Sequence, residues 1–375
     1  MRALVLIGLG LWHAAGTGAF AADDHETITA ADFKKVDVFT RSALFVAKDH
    51  GLSVLRTTQK GPPTAIFPIP KNDRSVSGNY RFVNAVGVAE TGDALFVSNR
   101  KAIIRVTPAG ESKTILTLDT LRSDSLVKDF PKRLDINWFL AAGPGETLYF
   151  ALLPAIGRER RSYVCRYEPA SRRTEVLECQ FPTGIDLDRE RGIVYVPPLS
   201  NANFGGNTPV LLITPFSDAG HPKRRPVHHM YDWCQLSPDR KTLLLSEAAT
   251  EKEPQIAALD LASDRETVLP FGGSYATWGA GDSIYFIRGD KTLWTATTKA
   301  TQPTLLFEAR AESDSDAGGD FAAPPVLSRD GSWLAWRWAF RDPPEPLRRG
   351  TVLIDLKNRE YRPLDQSWHT VTWAK

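Results

Sequence analysis

The sequence predicts an all-β chain built as a seven-bladed β-propeller of four-stranded antiparallel sheets, with six or eight blades as the alternatives. Three observations predict it. A hairpin strand recurs seven times, aligned on Leu44, Leu95, Leu148, Val194, Leu243, Ile284 and Leu334, at spacings of 41 to 53 residues, which fits one four-stranded blade. Each copy follows a small-residue, apolar strand and a tight polar turn, as in Leu236-Ser237-Pro238-Asp239-Arg240 and Leu327-Ser328-Arg329-Asp330-Gly331. The chain ends on Trp368-His369-Thr370-Val371-Thr372-Trp373, which reads as an inner strand with no hairpin after it.

The elements are labelled A to D from the inside of a blade outwards. The recurring runs, such as Thr242-Leu243-Leu244-Leu245-Ser246 and Ser283-Ile284-Tyr285-Phe286, are β-branched or aromatic and supply strand B. Ile103-Ile104-Arg105-Val106 and Thr351-Val352-Leu353-Ile354-Asp355 supply strand C; Lys113-Thr114-Ile115-Leu116 and Arg265-Glu266-Thr267-Val268-Leu269 supply strand D. The first copy has B, C and D, so the C-terminal strand is expected to supply its A strand, which removes exposed sheet edges. Lys35-Val36-Asp37-Val38-Phe39 competes for that place.

Residues 1–21 read as a signal peptide: Arg2, an apolar run from Ala3 to Trp12, and the small-x-small site Ala19-Phe20-Ala21. Residues 22–375 then form a single propeller domain, expected in the periplasm or secreted. The apolar run is too short to span a bilayer, and no later stretch has 18 uninterrupted apolar residues. A net charge of +2 asks for neither nucleic acid nor membrane, and a monomer is expected. Of three cysteines, Cys165 and Cys179 lie in consecutive strands of one hairpin. An oxidising compartment permits a bridge, although a register that sets Cys165 opposite Leu177 leaves Cys179 diagonal to it. Cys234 lies in an apolar inner strand.

Leu236 to Leu243 and Leu327 to Trp336 resemble the blade signature of TolB-like propellers, and Val86 to Pro108 is closer to the repeat of NHL and gluconolactonase-type propellers. The resemblance implies a fold. It does not carry the Tol function, because only about a dozen residues lie between the leader and the first strands, where TolB itself has a further domain. Gluconolactonase-type enzymes hold a metal with Glu, Asn and Asp at inner-strand starts. Asn84, Asn137 and Asp135 match part of that set, and the usual first Glu is missing.

Blade topology sends the B–C loops and D–A links to one face, the top. Three B–C loops read as long: 152–162, 197–209 and 338–350. Rims of this kind are where binding resides. Arg158, Arg160 and Arg161 lie in the first, Arg341, Arg348 and Arg349 in the third, and the link 221–229 adds Lys223, Arg224 and Arg225. Arginine forks suit carboxylates and phosphates; separate solvated charges are the plainer reading. At the channel entrance stand Arg81, Asn84, Asp135, Asn137, Tyr231, Asp232, Tyr275 and His369, a mixture of charge, amide and aromatic groups suited to a pocket, and His229 closes the link 221–229 on the same face. His228 and His229 are adjacent on extended chain and point apart, against a metal pair. Glu312, Asp314, Asp316 and Asp320 space oxygens like a calcium loop but lack its sixth-position glycine and closing Glu. No cofactor is expected beyond a divalent cation at the channel mouth or at Glu312, Asp314, Asp316 and Asp320. Ser328-Arg329-Asp330-Gly331-Ser332-Trp333 is one residue short of a sialidase Asp box and reads as a turn. The leading expectation is a binding scaffold for an envelope protein or an anionic glycan; the alternative is a lactonase, hydrolase or lyase at the channel mouth.

Overall fold

The structure is a computed structural model. It describes residues 43–48, 51–56, 64–67, 85–88, 94–98, 101–107, 111–122, 134–154, 162–179, 184–197, 209–218, 221, 223–247, 254–289, 292–308, 324–328, 330–340, 348–364 and 370–373. The leader, the competing strand at 35–39 and the acidic segment 312–320 lie outside these.

The described chain is all-β: its helical elements are α1 (Leu118–Arg122) and two 3-10 turns, Pro144–Glu146 and Phe216–Asp218. The strands fall in order into antiparallel sheets, seven among the described residues. The first holds β1 (Ala43–Lys48), β2 (Gly51–Arg56) and β3 (Thr64–Phe67); the second β4 (Ala85–Val88), β5 (Leu95–Ser98), β6 (Ala102–Val106) and β7 (Ser112–Thr117). The third holds β8 (Leu134–Ala142), β9 (Leu148–Pro154), β10 (Ser162–Glu168) and β11 (Arg173–Cys179); the fourth β12 (Asp186–Asp188), β13 (Ile193–Val196), β14 (Val210–Pro215) and β15 (Lys223–Pro226). In the fifth are β16 (Trp233–Leu236), β17 (Thr242–Ser246), β18 (Ile256–Asp260) and β19 (Arg265–Val268); in the sixth β20 (Ser274–Trp278), β21 (Ser283–Arg288), β22 (Thr292–Thr297) and β23 (Thr304–Glu308). The seventh holds β24 (Val326–Leu327), β25 (Trp333–Phe340), β26 (Arg348–Asp355) and β27 (Glu360–Leu364). The last strand, β28 (Thr370–Trp373), pairs antiparallel with β1, from Leu44↔Trp373 to Ala47↔Thr370.

The B strands are continuous apolar runs because both faces are buried. Leu243 and Leu245 pack into a cluster shared with the fourth sheet, and Leu244 into one shared with the sixth. Ile284 and Phe286 face the fifth sheet, Tyr285 and Ile287 the seventh. Phe150 and Tyr149 divide in the same way between the second and fourth sheets. The A–B turns repeat one device. Ser237 Oγ donates to Asp239 Oδ1 at 2.6 Å, Asp239 Oδ1 accepts Lys241 N, and Ser237 Oγ accepts Thr242 N. Ser328, Asp330, Ser332 and Trp333 make the same set, with Arg240 and Gly331 at the left-handed position. The blade signature is therefore a turn that satisfies its own amides.

Two expectations are corrected. Cys165 pairs with Val176, and Cys179 faces Ser162; an odd offset of three puts positions 165 and 179 on opposite faces of the sheet, and Cys165 is a buried thiol. The loops are also shorter than they read, because β9, β10, β25 and β26 extend into them, leaving 155–161 and 341–347 between the strands.

Deleting residues 366–375 removes β28 and leaves β1 with an unpaired edge. The truncated chain is expected to melt at a lower temperature and to self-associate, measured by thermal unfolding and size-exclusion chromatography; unchanged values contradict the pairing.

Candidate functional site

A densely connected polar cluster among the described residues joins the fourth and fifth sheets. Along β15 the chain alternates, so Arg224 is exposed while Arg225 turns inward, at 9% exposure. Arg225 Nε donates to Asp264 Oδ1 at 2.8 Å, Nη2 to Asp264 O at 2.7 Å, and Nη1 to Glu266 Oε2 at 3.2 Å. Glu266 stands on β19 with its side chain 1% exposed. It also accepts Tyr231 Oη at 2.8 Å and the amide of His228, whose Nδ1 lies 3.1 Å from Oε2. Burial alone would push the Glu266 carboxyl up, but Tyr231, His228 and Arg225 together outweigh it and hold it below the usual range. Burial and the same carboxylate drive the Tyr231 hydroxyl far up, so it stays a donor.

The neighbouring imidazole, at a bend in the link after β15, goes elsewhere. His229 Nδ1 stands 3.9 Å from Glu247 Oε1. Glu247 follows β17; its Oε2 accepts Gln255 N at 2.7 Å, and its backbone bridges to Ser274 at the start of β20. The His229 ring meets Tyr231 edge-on at 6.1 Å, and Asp232 N donates to Ser246 O. Tyr275, one residue beyond Ser274, has φ of +50° at a register shift in β20, a conformation costly for an aromatic residue. The structure thus brings His229, Tyr231, Asp232 and Tyr275 to the same end of adjoining sheets, with the two imidazoles open to solvent (His228 66%, His229 43%).

The other candidates do not join them. Asp135 is buried on β8 and faces Lys101 Nζ at 3.8 Å; Asn137 is a β8 position paired with Ala151. Arg348 and Arg349 are β26 positions opposite Phe340 and Ala339 rather than loop residues, and Arg224 and Arg225 are on β15. The expectation that these arginines lie off the strands is therefore corrected: Arg225 is a structural cation held by two carboxylates. Arg81, Asn84, Arg160, Arg161, His369 and the acidic group Glu312, Asp314, Asp316 and Asp320 lie outside the described residues.

Sequence reasoning missed Glu247 and Glu266, which follow a B strand and sit on a D strand; only their partners 8 to 41 residues away give them meaning. It also missed Asp186 on β12. Asp186 Oδ1 accepts its neighbour Leu187 N, and Oδ2 accepts Leu236 N of β16 at 2.6 Å. Burial pushes this carboxyl up, and the two amides and Arg189 pull against it without prevailing.

No protein-family model matches the chain, and no curated protein matches it by sequence. Solved structures do. An oligogalacturonate lyase in complex with manganese matches with a TM-score of 0.58 and 12% identity, over 88% of this chain and 90% of that one. A hypothetical selenium-binding protein from Sulfolobus tokodaii matches at 0.57 and 10%, over 89% and 93%. A putative TolB from Agrobacterium tumefaciens matches at 0.42 and 14%, over 88% and 92%. The likeness is one of fold alone: the chain is a β-propeller. Fold does not carry activity. Among the described residues no three His, Cys, Asp or Glu side chains are grouped to hold a metal ion, and no described helix is long and apolar enough to cross a membrane.

Two outcomes are expected. Glu266→Ala leaves Arg225 and the Tyr231 hydroxyl buried without their acceptor and costs about 3–5 kcal/mol, whereas Glu190→Ala, which removes an exposed pair with Arg240, changes little; urea unfolding measures both. For Asp186 the sign follows from the raised folded pKa. The native state holds its proton to higher pH than the unfolded chain, so stability falls as pH rises from the ordinary value of 3.8 through the folded value. Asp186→Asn gives up one acceptor but removes that slope. Its melting temperature is expected to gain on wild type as pH rises from about 4 to about 7, and a flat difference contradicts the assignment.

Proposed function

We propose that the chain is an exported, monomeric seven-bladed β-propeller, closed by β28 against β1, that recognises an anionic glycan through the face carrying His228, His229 and Tyr275. The observation that carries the reading is the pair of exposed imidazoles. Each has Nδ1 turned to a buried carboxylate, Glu266 or Glu247, which leaves Nε2 for a ligand. Imidazoles held in advance by buried carboxylates, in the short link between β15 and β16, lose little entropy on binding. The seven four-stranded sheets and the β28–β1 pairing support the closed ring. The leader supports export to the periplasm or beyond.

A second reading is a lyase at the channel mouth, favoured by the likeness to a structure whose name is oligogalacturonate lyase, in complex with manganese. The described donor set does not fit a metal, so no step is assigned to one. An envelope protein as ligand is the remaining outcome.

The test is titration of an oligouronate and its neutral counterpart into wild type and His229→Ala, followed by incubation with and without manganese and assay for chain cleavage. Tighter binding of the oligouronate, weakened by about tenfold in His229→Ala and without cleavage, is expected. Cleavage transfers the assignment to the lyase, and equal affinity for both oligosaccharides removes the glycan reading.

A further inference from the structure

At the opposite end of the third and fourth sheets lies a cleft of about 200 Å³. Its floor and walls follow from register. Tyr149, Arg166 and Glu175 stand side by side on β9, β10 and β11, so one row of side chains presents an aromatic ring, a guanidinium and a carboxylate towards the next sheet. The A–B turn of the fourth sheet brings Arg189 and Arg191 against that row, and the C–D turn brings Phe216 and Ser217. Phe216 meets Tyr149 with ring centroids 5.6 Å apart, above an apolar cluster that includes Val164 and Val194.

The charges in this cleft do not cancel. Arg166, Arg189 and Arg191 line it, against Glu175 and Glu190. Both carboxylates are already taken: Glu175 by Arg166 at 2.7 Å and Arg173 at 3.1 Å, and Glu190 by Arg240. Arg191 reaches Asp188 at 3.5 Å. Arg189 acts on the Asp186 carboxyl from a distance but makes no ion pair within 4 Å among the described residues; its side-chain hydrogen bond is Nη1 to Ala142 O at 3.4 Å. Its backbone carbonyl accepts Tyr149 Oη at 3.2 Å, which fixes the turn on the ring. A half-buried guanidinium that spends few of its five donors among the described residues, beside an aromatic pair, is complementary to a carboxylate carried on a compact ring or chain.

We propose that this cleft binds a monocarboxylate of monosaccharide size, with the carboxylate on Arg189 and the body of the ligand on Tyr149 and Phe216. The site is separate from the imidazole face: the A–B and C–D turns that build it are at the far end of every hairpin from the B–C loops and D–A links. Its occupancy therefore does not depend on the glycan reading.

The experiment titrates glucuronate and glucose separately into wild type, Arg189→Gln, Ser217→Glu and His229→Ala. Wild type is expected to bind glucuronate saturably and at least about tenfold more tightly than glucose, the usual weight of a charge-assisted hydrogen bond. Arg189→Gln and Ser217→Glu are expected to lose that preference, and His229→Ala to keep it. Ser217 is exposed at the mouth, so Ser217→Glu tests the site even if Arg189→Gln unfolds. Absence of saturable binding, equal affinity for the two sugars, or a loss that follows His229 instead of Arg189 and Ser217 overturns the assignment.

Discussion

The inner strand of a narrow sheet has one edge with no partner in its own sheet, and the amides on that edge must find acceptors. Side chains and carbonyls of the preceding sheet provide them. Asp186 accepts Leu236 N, Gln235 Oε1 accepts Trp278 N and Thr277 Oγ1 at 2.6 Å each, and Ser246 Oγ accepts Ala276 N. Cys234 N donates to Gly184 O, at a contact so close that a Cβ on Gly184 would lie 1.9 Å from Asp232 O. These bonds set the offset between successive sheets. Everything above them, including where the link 227–232 crosses and where Tyr275 begins its strand, inherits that offset.

Outside the inner edge the same demand is met at greater depth. Arg225 is nearly enclosed, and it persists as a cation because Asp264 and Glu266 close around it, while Glu266 is stabilised in turn by Tyr231 and His228. Desolvated groups of this kind tolerate no missing member. The Arg240–Glu190 pair is exposed and weighs little by comparison. The imidazole face is thus precise because its anchors are buried, and the cleft around Arg189 is adaptable because its charges are half in water.

The hairpin repeat was legible because it is local. Runs such as Leu243-Leu244-Leu245 declare strands, and Ser237-x-Asp239 and Ser328-x-Asp330 declare turns whose bonds span two to five residues. His229, Tyr231, Asp232 and Tyr275 were readable as a group because all lie near inner-strand starts. The partners that give them meaning were not. Glu266 is an ordinary exposed-looking residue of an outer strand until Arg225, 41 positions away, is laid against it. One basic stretch was misread for the same reason: a run of Lys and Arg in the sequence does not say that β15 buries Arg225 and leaves Lys223 and Arg224 exposed. Nor could the length of the B–C loops be read, since Trp338 and Arg349 look like loop residues until strand pairing carries them into β25 and β26.

The C–D turns leave the chain room to change. Arg172, Asp264 and Arg359 each occupy the left-handed region, with φ of 57°, 58° and 57°, just before the outer strand begins. Asp260 and Asp355 hold two of these turns by accepting two amides apiece. A side chain in that region forgoes about 1–2 kcal/mol, part of which glycine would return after its own entropy is counted. Asp264 is bound to its place by Arg225, but positions 172 and 359 are exposed. A lineage drifting toward hotter or harsher surroundings could therefore gain stability at the rim of the sheets, one turn at a time, without touching the inner edge or the imidazole face.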